Sequence, residues 1–125
     1  AALQRLCTEF CWLVDHGQAD QVAHLFCDDV RYEAQGTASA GIDALMLRMQ
    51  ARAARRDYTS RHVASSFRFH LLGDGDVSGH STLIVFRDTV VPAVVADVHD
   101  RFRRIGDGTW RIAERRIVPM MAAQS

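Results

Sequence analysis

The sequence predicts an α+β fold, with helices in the first half of the chain and a mostly antiparallel sheet in the second. Before residue 56 the apolar residues recur every three or four positions, which is the spacing of amphipathic helices. From residue 61 onward they alternate with polar residues, and two glycine-containing turns divide this half into long hairpins. Helices followed by antiparallel strands are typical of the α+β class.

The first helix is predicted over residues 3–15, because its apolar residues form one continuous stripe. The stripe consists of Leu3, Leu6, Cys7, Phe10, Cys11, Leu13 and Val14. Asp15 continues it by one turn, so we expect burial to desolvate this carboxylate and to raise its pKa. Gly17 is suited to end the helix, and Asp20 is placed to cap a second, short helix that reaches Phe26.

A short strand and a third helix complete the first half. We expect a strand at residues 30–34, a loop of small residues at 36–41 and a helix from 42 to about 55. The residues of this helix that should face inward are Ile42, Leu45, Met46 and Met49. Its last turn carries three arginines, which suit the negative end of the helix dipole better than a phosphate or nucleic-acid site. They are Arg52, Arg55 and Arg56.

The second half is predicted as two hairpins. Their four strands are expected at residues 62–72, 77–88, 93–104 and 109–118. Segments 83–86 and 94–96 are apolar on both faces, so both sides of the sheet should be covered. We expect the helices on one side and a second copy of the chain on the other, which would make a homodimer.

Length and composition favour one domain spanning residues 1–125, with 48% hydrophobic residues and a net charge of zero. Zero net charge argues against a nucleic-acid or membrane-surface partner. No apolar run is long enough for a membrane helix. The three cysteines, Cys7, Cys11 and Cys27, lack metal-ligand spacing and fit reduced thiols of a cytoplasmic protein.

Five strings, read in order, resemble the SnoaL-like branch of the NTF2-like superfamily over nearly the whole chain. They lie at residues 13–20, 25–30, 41–45, 61–63 and 108–116. The resemblance implies a cystatin-like cone, in which a strongly curved sheet and three N-terminal helices enclose a pocket. It also implies a dimer through the sheet. The superfamily contains dehydratases, isomerases, cyclases and non-catalytic members, so the fold alone does not define the activity.

The resemblance also suggests site residues. Asp15 falls where the dehydratases keep a pocket aspartate, and His62 falls where they keep a catalytic histidine. Other positions differ from the enzymes of the family. Phe10 replaces a first-helix tyrosine, Ala34 replaces the base of ketosteroid isomerase, and Val98 replaces its protonated aspartate. Ketosteroid isomerase activity is therefore not expected.

We hypothesise an Asp15–His62 dyad in which the imidazole, with an ordinary pKa of about 6.5, removes a proton next to a carbonyl. The proton would return to a leaving hydroxyl or to another carbon of a small, hydrophobic, cyclic substrate. Neither step needs a metal or organic cofactor, and none is expected. The predicted pocket residues are Phe10, Cys11, Ala34, Met46, Phe86, Val98 and Arg116.

Several alternatives stay open. Asp15 could merely order the turn before the second helix, and the chain could be a ligand-binding or assembly module that resembles dioxygenase small subunits. Arg87, Arg115 or Arg116 could stabilise an enolate or bind an acid group, but solvated or ion-paired arginines are the simpler interpretation of the last two. For Asp100 we favour a cross-strand ion pair with a neighbouring arginine, Arg101 or Arg103. No ligand spacing supports a metal site made from His62, Asp15 and a second histidine, His80 or His99.

Overall fold

Two helices and six strands make up the α+β fold in a computed structural model that describes residues 2–122. Positions 1 and 123–125 of the predicted domain lie outside the described residues. The helices are α1 (Ala2–Asp15) and α2 (Ile42–Ala54). The strands are β1 (Phe26–Ala34), β2 (Thr37–Ala40), β3 (Ser60–Leu71), β4 (Val77–Arg87), β5 (Pro92–Arg104) and β6 (Trp110–Ala122). The predicted fold class is confirmed.

The strands form one mixed sheet in the order β2-β1-β6-β5-β4-β3. All neighbours are antiparallel except β1 and β6, which run parallel. The two predicted hairpins, β3–β4 and β5–β6, are present, and their register places alternate residues on the two faces. The last strand therefore lies inside the sheet, between β1 and β5.

Register shifts curve the sheet. β3 is bulged between Ser65 and Arg68, where Ser66 has a φ of 56°, and β5 carries further shifts on both of its edges. Bulges of this kind bend the bulged strand and increase its twist. Gly79 on β4 allows the close packing at this bend, because a Cβ there would lie 2.6 Å from Cε2 of Phe102.

The prediction of a short helix between Asp20 and Phe26 is wrong. The chain forms two single turns of 3-10 helix, Ala19–Gln21 and Ala23–Leu25, without a side-chain cap from Asp20. Phe26 already begins β1, since its backbone is extended and its ring is fully buried in the core. The fold thus has two α-helices rather than the three that the family resemblance implied.

The prediction of a loop at residues 36–41 is also wrong in part, because Thr37–Ala40 forms the edge strand β2. Gln35 and Gly36 connect it to β1, and both have positive φ, at 55° and 74°. Two such residues give the twist of a tight hairpin turn. Four small residues carry little strand signal of their own, so β2 depends on pairing with β1.

Both helices pack against the concave face of the sheet. α1 contacts β3 and β6, and α2 contacts β1. The largest side chains of the core are fully buried between these layers and include Phe26, Leu45, Phe102 and Ile112. Within residues 2–122, no helix is both long and apolar enough to cross a bilayer.

Candidate active site

The end of α1 meets the beginning of β3 through Asp15. Its Oδ1 accepts hydrogen bonds from the His62 ring at 2.5 Å, through Nδ1, and from the Ser60 hydroxyl at 2.9 Å. Its Oδ2 accepts the backbone N–H of His62 at 2.7 Å. Gly17, with a φ of 74°, turns the chain away directly after the helix. The structure therefore brings together the two residues of the hypothesised dyad.

The carboxylate of Asp15 is ionised at neutral pH. Burial raises its pKa, but the hydrogen bonds from the His62 ring, the His62 backbone and Ser60 outweigh burial, so the net pKa is lowered. The expected upward shift is wrong, because the sequence pattern shows the apolar row but not the donors that β3 brings to it. An ionised Asp15 accepts the Nδ1 proton of His62 and leaves the lone pair on Nε2.

His62 faces a cavity of about 490 Å³ between α1, α2 and the concave face of the sheet. The inner wall is apolar and buried, and its members include Phe10, Cys11, Val14, Ala34, Met49, Leu83, Val85 and Ala96. Three predicted pocket residues, Phe10, Cys11 and Ala34, are among them. Asp15 itself does not line the cavity; it lies behind the imidazole ring with 4% of its side chain exposed.

Four predicted pocket residues do not line the cavity. Met46 packs against the main core, and Met49, one turn later, contacts the cavity instead. Val98 is buried in a cluster with Cys11 and does not reach the cavity surface. The other two, Phe86 and Arg116, point to the outer face of the sheet. The residues directly before them, Val85 and Arg115, line the cavity, and successive residues of a strand point to opposite faces.

Arg115 is buried rather than solvated. Its Nε and Nη2 donate to Oδ1 and Oδ2 of Asp100 at 2.9 and 3.0 Å, and Nη2 also contacts Sγ of Cys7 at 3.3 Å. Burial lowers the pKa of Arg115, but the nearby carboxylate of Asp100 more than offsets burial, so the net pKa is raised. The guanidinium therefore stays charged. Burial raises the pKa of Cys7 to about 12, so its thiol is neutral.

The predicted ion pair of Asp100 is present, but its partner is Arg115 rather than Arg101 or Arg103. Arg101 pairs with Asp74 and Asp76, and Arg103 pairs with Asp29. Arg115 lies directly opposite Asp100 across β5 and β6, and both side chains point to the concave face. Adjacent arginines at 115 and 116 gave no sequence signal for which of them turns inward.

Two polar groups of the cavity wall keep free donors. Tyr32 on β1 and Arg115 both line the cavity, and within residues 2–122 neither the Tyr32 hydroxyl nor Arg115 Nη1 donates a hydrogen bond. No fully buried side-chain nitrogen or oxygen in that range lacks a partner, so both atoms must be accessible from the cavity. Burial raises the pKa of Tyr32 and keeps its phenol protonated. Sequence reasoning missed Tyr32, because one tyrosine on a half-polar strand carries no motif.

The outer face of the sheet holds a different cluster. His80, Asp97 and His99 each place one ligand atom within 4.8 Å of the others. Imidazole and carboxylate ligands suit several divalent metals. His62 and Asp15 lie on the opposite face, so they cannot join this cluster to form the mixed metal site considered from the sequence.

Proteins of known structure share the fold of this chain. A family model described as a SnoaL-like domain matches residues 1–116. No curated protein sequence matches closely enough to count as a relative. A solved protein of unknown function from Mycobacterium tuberculosis is 27% identical, with 94% of this chain and 74% of that chain covered and a TM-score of 0.81.

Two solved structures from Novosphingobium aromaticivorans share the fold at lower identity. One, provisionally named a scytalone dehydratase, is 16% identical, with 99% and 85% of the two chains covered and a TM-score of 0.84. The other, an NTF2-like protein with a cystatin-like fold, is 21% identical, with 98% and 82% covered and a TM-score of 0.82. The curved mixed sheet is thus that of the cystatin-like fold, as the sequence resemblance implied.

Proposed function

The chain belongs to the SnoaL-like domain family, and from that premise we propose that it is a cofactor-independent dehydratase or isomerase. It acts by proton transfer next to a carbonyl of a small, hydrophobic, cyclic molecule. The observation that carries this proposal is the hydrogen bond between Asp15 and Nδ1 of His62, which leaves Nε2 of a cavity-lining imidazole as the base. The name of the dehydratase-like structural neighbour supports the same reaction class.

His62 removes the proton. Its Nε2 takes a proton from the carbon next to the substrate carbonyl, and the electrons of the C–H bond move into an enolate. The imidazolium that forms is stabilised by the ionised Asp15 behind it. An apolar wall strengthens this interaction, since charges attract more strongly away from water.

The enolate oxygen needs donors, and the cavity supplies two. The protonated phenol of Tyr32 and the charged Nη1 of Arg115 are both open to the cavity. Donors held in place before the reaction stabilise developing negative charge at little reorganisation cost. In dehydration, the enolate then expels a hydroxide that takes the proton from His62 and leaves as water. In isomerisation, His62 returns the proton to another carbon.

The size and lining of the cavity support the proposed substrate class. A volume of about 490 Å³ lies within the range of small-molecule pockets, roughly 300–1,000 Å³. Its aromatic and aliphatic inner wall suits a fused ring system more than a sugar or a peptide. A two-ring ketone is therefore a reasonable probe of the chemistry.

The test is proton exchange. The wild type should exchange the protons next to the carbonyl of 1-tetralone with D₂O, or eliminate water from its 3-hydroxy derivative, as followed by NMR. His62→Asn keeps a donor near the position of Nδ1 but removes Nε2, so it should slow the reaction by about 10²–10⁴-fold while the protein stays folded. His70→Gln, an exposed histidine on the same strand, is the control. Equal rates for the wild type and His62→Asn would overturn the proposal.

A second candidate function is ligand binding without turnover. It is favoured by the other contacts of Asp15, since the bonds to Ser60 and to the backbone of His62 also fasten α1 to β3. In that case the wild type would retain a small molecule through purification, detectable by native mass spectrometry, and would exchange none of its protons.

A further inference from the structure

The mouth of the cavity is rich in arginine. Besides Arg115, four arginines line it, and they are Arg48, Arg52, Arg55 and Arg87. Three of them surround one aromatic ring, that of Tyr58: the guanidinium carbons of Arg52, Arg55 and Arg87 lie 4.8, 4.9 and 5.5 Å from its centroid. No aspartate or glutamate among residues 2–122 lines the cavity. We call these four arginines and Tyr58 the arginine mouth.

The positive charge of the arginine mouth is mostly uncompensated. Arg55 pairs with the exposed Asp57 at 2.9 Å. Within residues 2–122 the other three form no ion pair: Arg48 donates to backbone carbonyls, Arg52 donates to the Ser60 hydroxyl, and the guanidinium of Arg87 lies over the ring of Tyr58. The net charge of the whole chain is zero, so this is a local excess. The proton transfer proposed above uses none of these four side chains.

Arginines this close repel one another, and stacking on an aromatic face offsets only part of that cost. Guanidinium groups are planar donors whose geometry matches the oxygens of an acid group. We infer that the substrate carries an oxyanion group, such as a carboxylate, which the arginine mouth binds while the ring system fills the apolar interior. This inference rests on the proposed function for treating the cavity as the substrate site.

The sheet register sets the distance between the two ends of such a substrate. Arg87 lies opposite Ser60, and Val85 lies opposite His62, on the same face of β3 and β4. Two residues along a strand span roughly 7 Å. The acid group would therefore sit about one ring away from the carbon that His62 deprotonates. The substrate class is a cyclic ketone or hydroxyketone with an acid substituent one ring removed from the reacting position.

Two fluorescent probes that differ only by one sulfonate group can test this assignment. They are 8-anilino-1-naphthalenesulfonate, which carries an oxyanion, and N-phenyl-1-naphthylamine, which lacks it. The wild type should bind the sulfonate at least about tenfold more tightly, and added salt should weaken only the sulfonate. The two probes should displace each other, which would show that they share one site.

The variant that tests the arginine mouth is Arg87→Gln, because Arg52 also supports Ser60 and hence Asp15. It should weaken sulfonate binding about five- to tenfold and leave the neutral probe within about twofold. Arg31→Gln, an exposed arginine of β1 outside the cavity, is the matched control and should change neither. Equal affinity for the two probes, failure of both to bind, or equal effects of the two substitutions would overturn the inference.

His62→Asn separates this inference from the proposed function. It should slow proton exchange by about 10²–10⁴-fold and leave sulfonate binding within about twofold, since the imidazole carries no part of the anion contact. Sulfonate preference without any proton exchange by the wild type would support the arginine mouth and refute the enzymatic proposal. Proton exchange without a preference for the sulfonate would support the enzymatic proposal and refute the arginine mouth.

Discussion

Asp15 and His62 are 47 residues apart in the chain, yet both carboxylate oxygens of Asp15 bind the same histidine. One oxygen holds the ring through Nδ1 and the other holds the backbone N–H. A ring fixed at both its backbone and its side chain has little freedom to rotate. The geometry that leaves Nε2 toward the cavity is thus set before any substrate binds.

Replacement of Asp15 by Asn should lower turnover far more than it lowers stability. An amide has one acceptor oxygen in place of two and no charge, so it can neither hold the Nδ1–H tautomer nor stabilise an imidazolium. We expect a loss of about 10²–10⁴-fold in kcat, measured on the tetralone substrates. Asp20→Asn changes an exposed aspartate five residues after Asp15 and should leave kcat unchanged. A similar loss in both variants would point to a structural role alone.

Asp15 should also make stability depend on acid pH. Its pKa is lower in the folded state than in the unfolded chain, so its contribution is complete above about pH 4 and disappears as the pH falls through the folded-state value. The difference in free energy of unfolding between the wild type and Asp15→Asn should therefore be greatest at neutral pH and shrink in acid. Urea unfolding at a series of pH values measures it. A difference that is constant down to pH 2 would contradict the lowered pKa.

The buried pair of Asp100 and Arg115 gives a further prediction. Arg115→Met leaves the Asp100 carboxylate unpaired in the core, which should cost about 3–5 kcal/mol of unfolding free energy. The double variant Arg115→Met with Asp100→Leu removes both charges and should regain most of that loss. Because it still lacks the Nη1 donor, the double variant should remain inactive. Recovery of activity in it would show that Arg115 serves only the fold.

The outer face of the sheet predicts a homodimer. One apolar row crosses four strands in register there, through Val63, Ile84, Val95 and Met121. Val63 is 46% exposed and Met121 is 64% exposed. A two-fold axis would place this row against its own copy, so we propose a dimer through this face.

Val63→Asp should convert the dimer to a monomer at micromolar concentration, as measured by size exclusion with light scattering, because a charge in the centre of such an interface is costly. Val90→Asp is the control, since Val90 lies in the β4–β5 connection and is 93% exposed. A wild type that is monomeric at that concentration would refute the proposed interface.

Sequence periodicity predicted the elements whose signal is local. Both α-helices and the four long strands were placed correctly because their apolar spacing and their turns lie within a few residues of one another. A short helix before Phe26 was predicted wrongly and strand β2 was missed, both for the opposite reason. Phe26 is extended because the core takes its ring, and Thr37–Ala40 is a strand because β1 offers a partner. Neither cause is visible in the segment itself.

The candidate site divides in the same way. The contact between Asp15 and His62 was expected from the family resemblance. The face of the sheet to which Phe86 and Arg116 point could not be predicted from the sequence. Register shifts in β5 and β6 change which residues point inward, and a shift by one residue exchanges the two faces. The arginine mouth combines α2 with the end of β4, so no sequence spacing could indicate it.

Strand β6 joins the two halves of the sheet, and it follows all the other described strands in chain order. Until it is made, β1 and β5 each lack a neighbour, and Asp100 has no guanidinium to neutralise it. Nascent chains that stop before Arg115 should therefore expose unpaired strand edges and engage chaperones rather than mature into a binding-competent form. Quality control during synthesis thus acts on a fold that is complete only once β6 has paired with both β1 and β5.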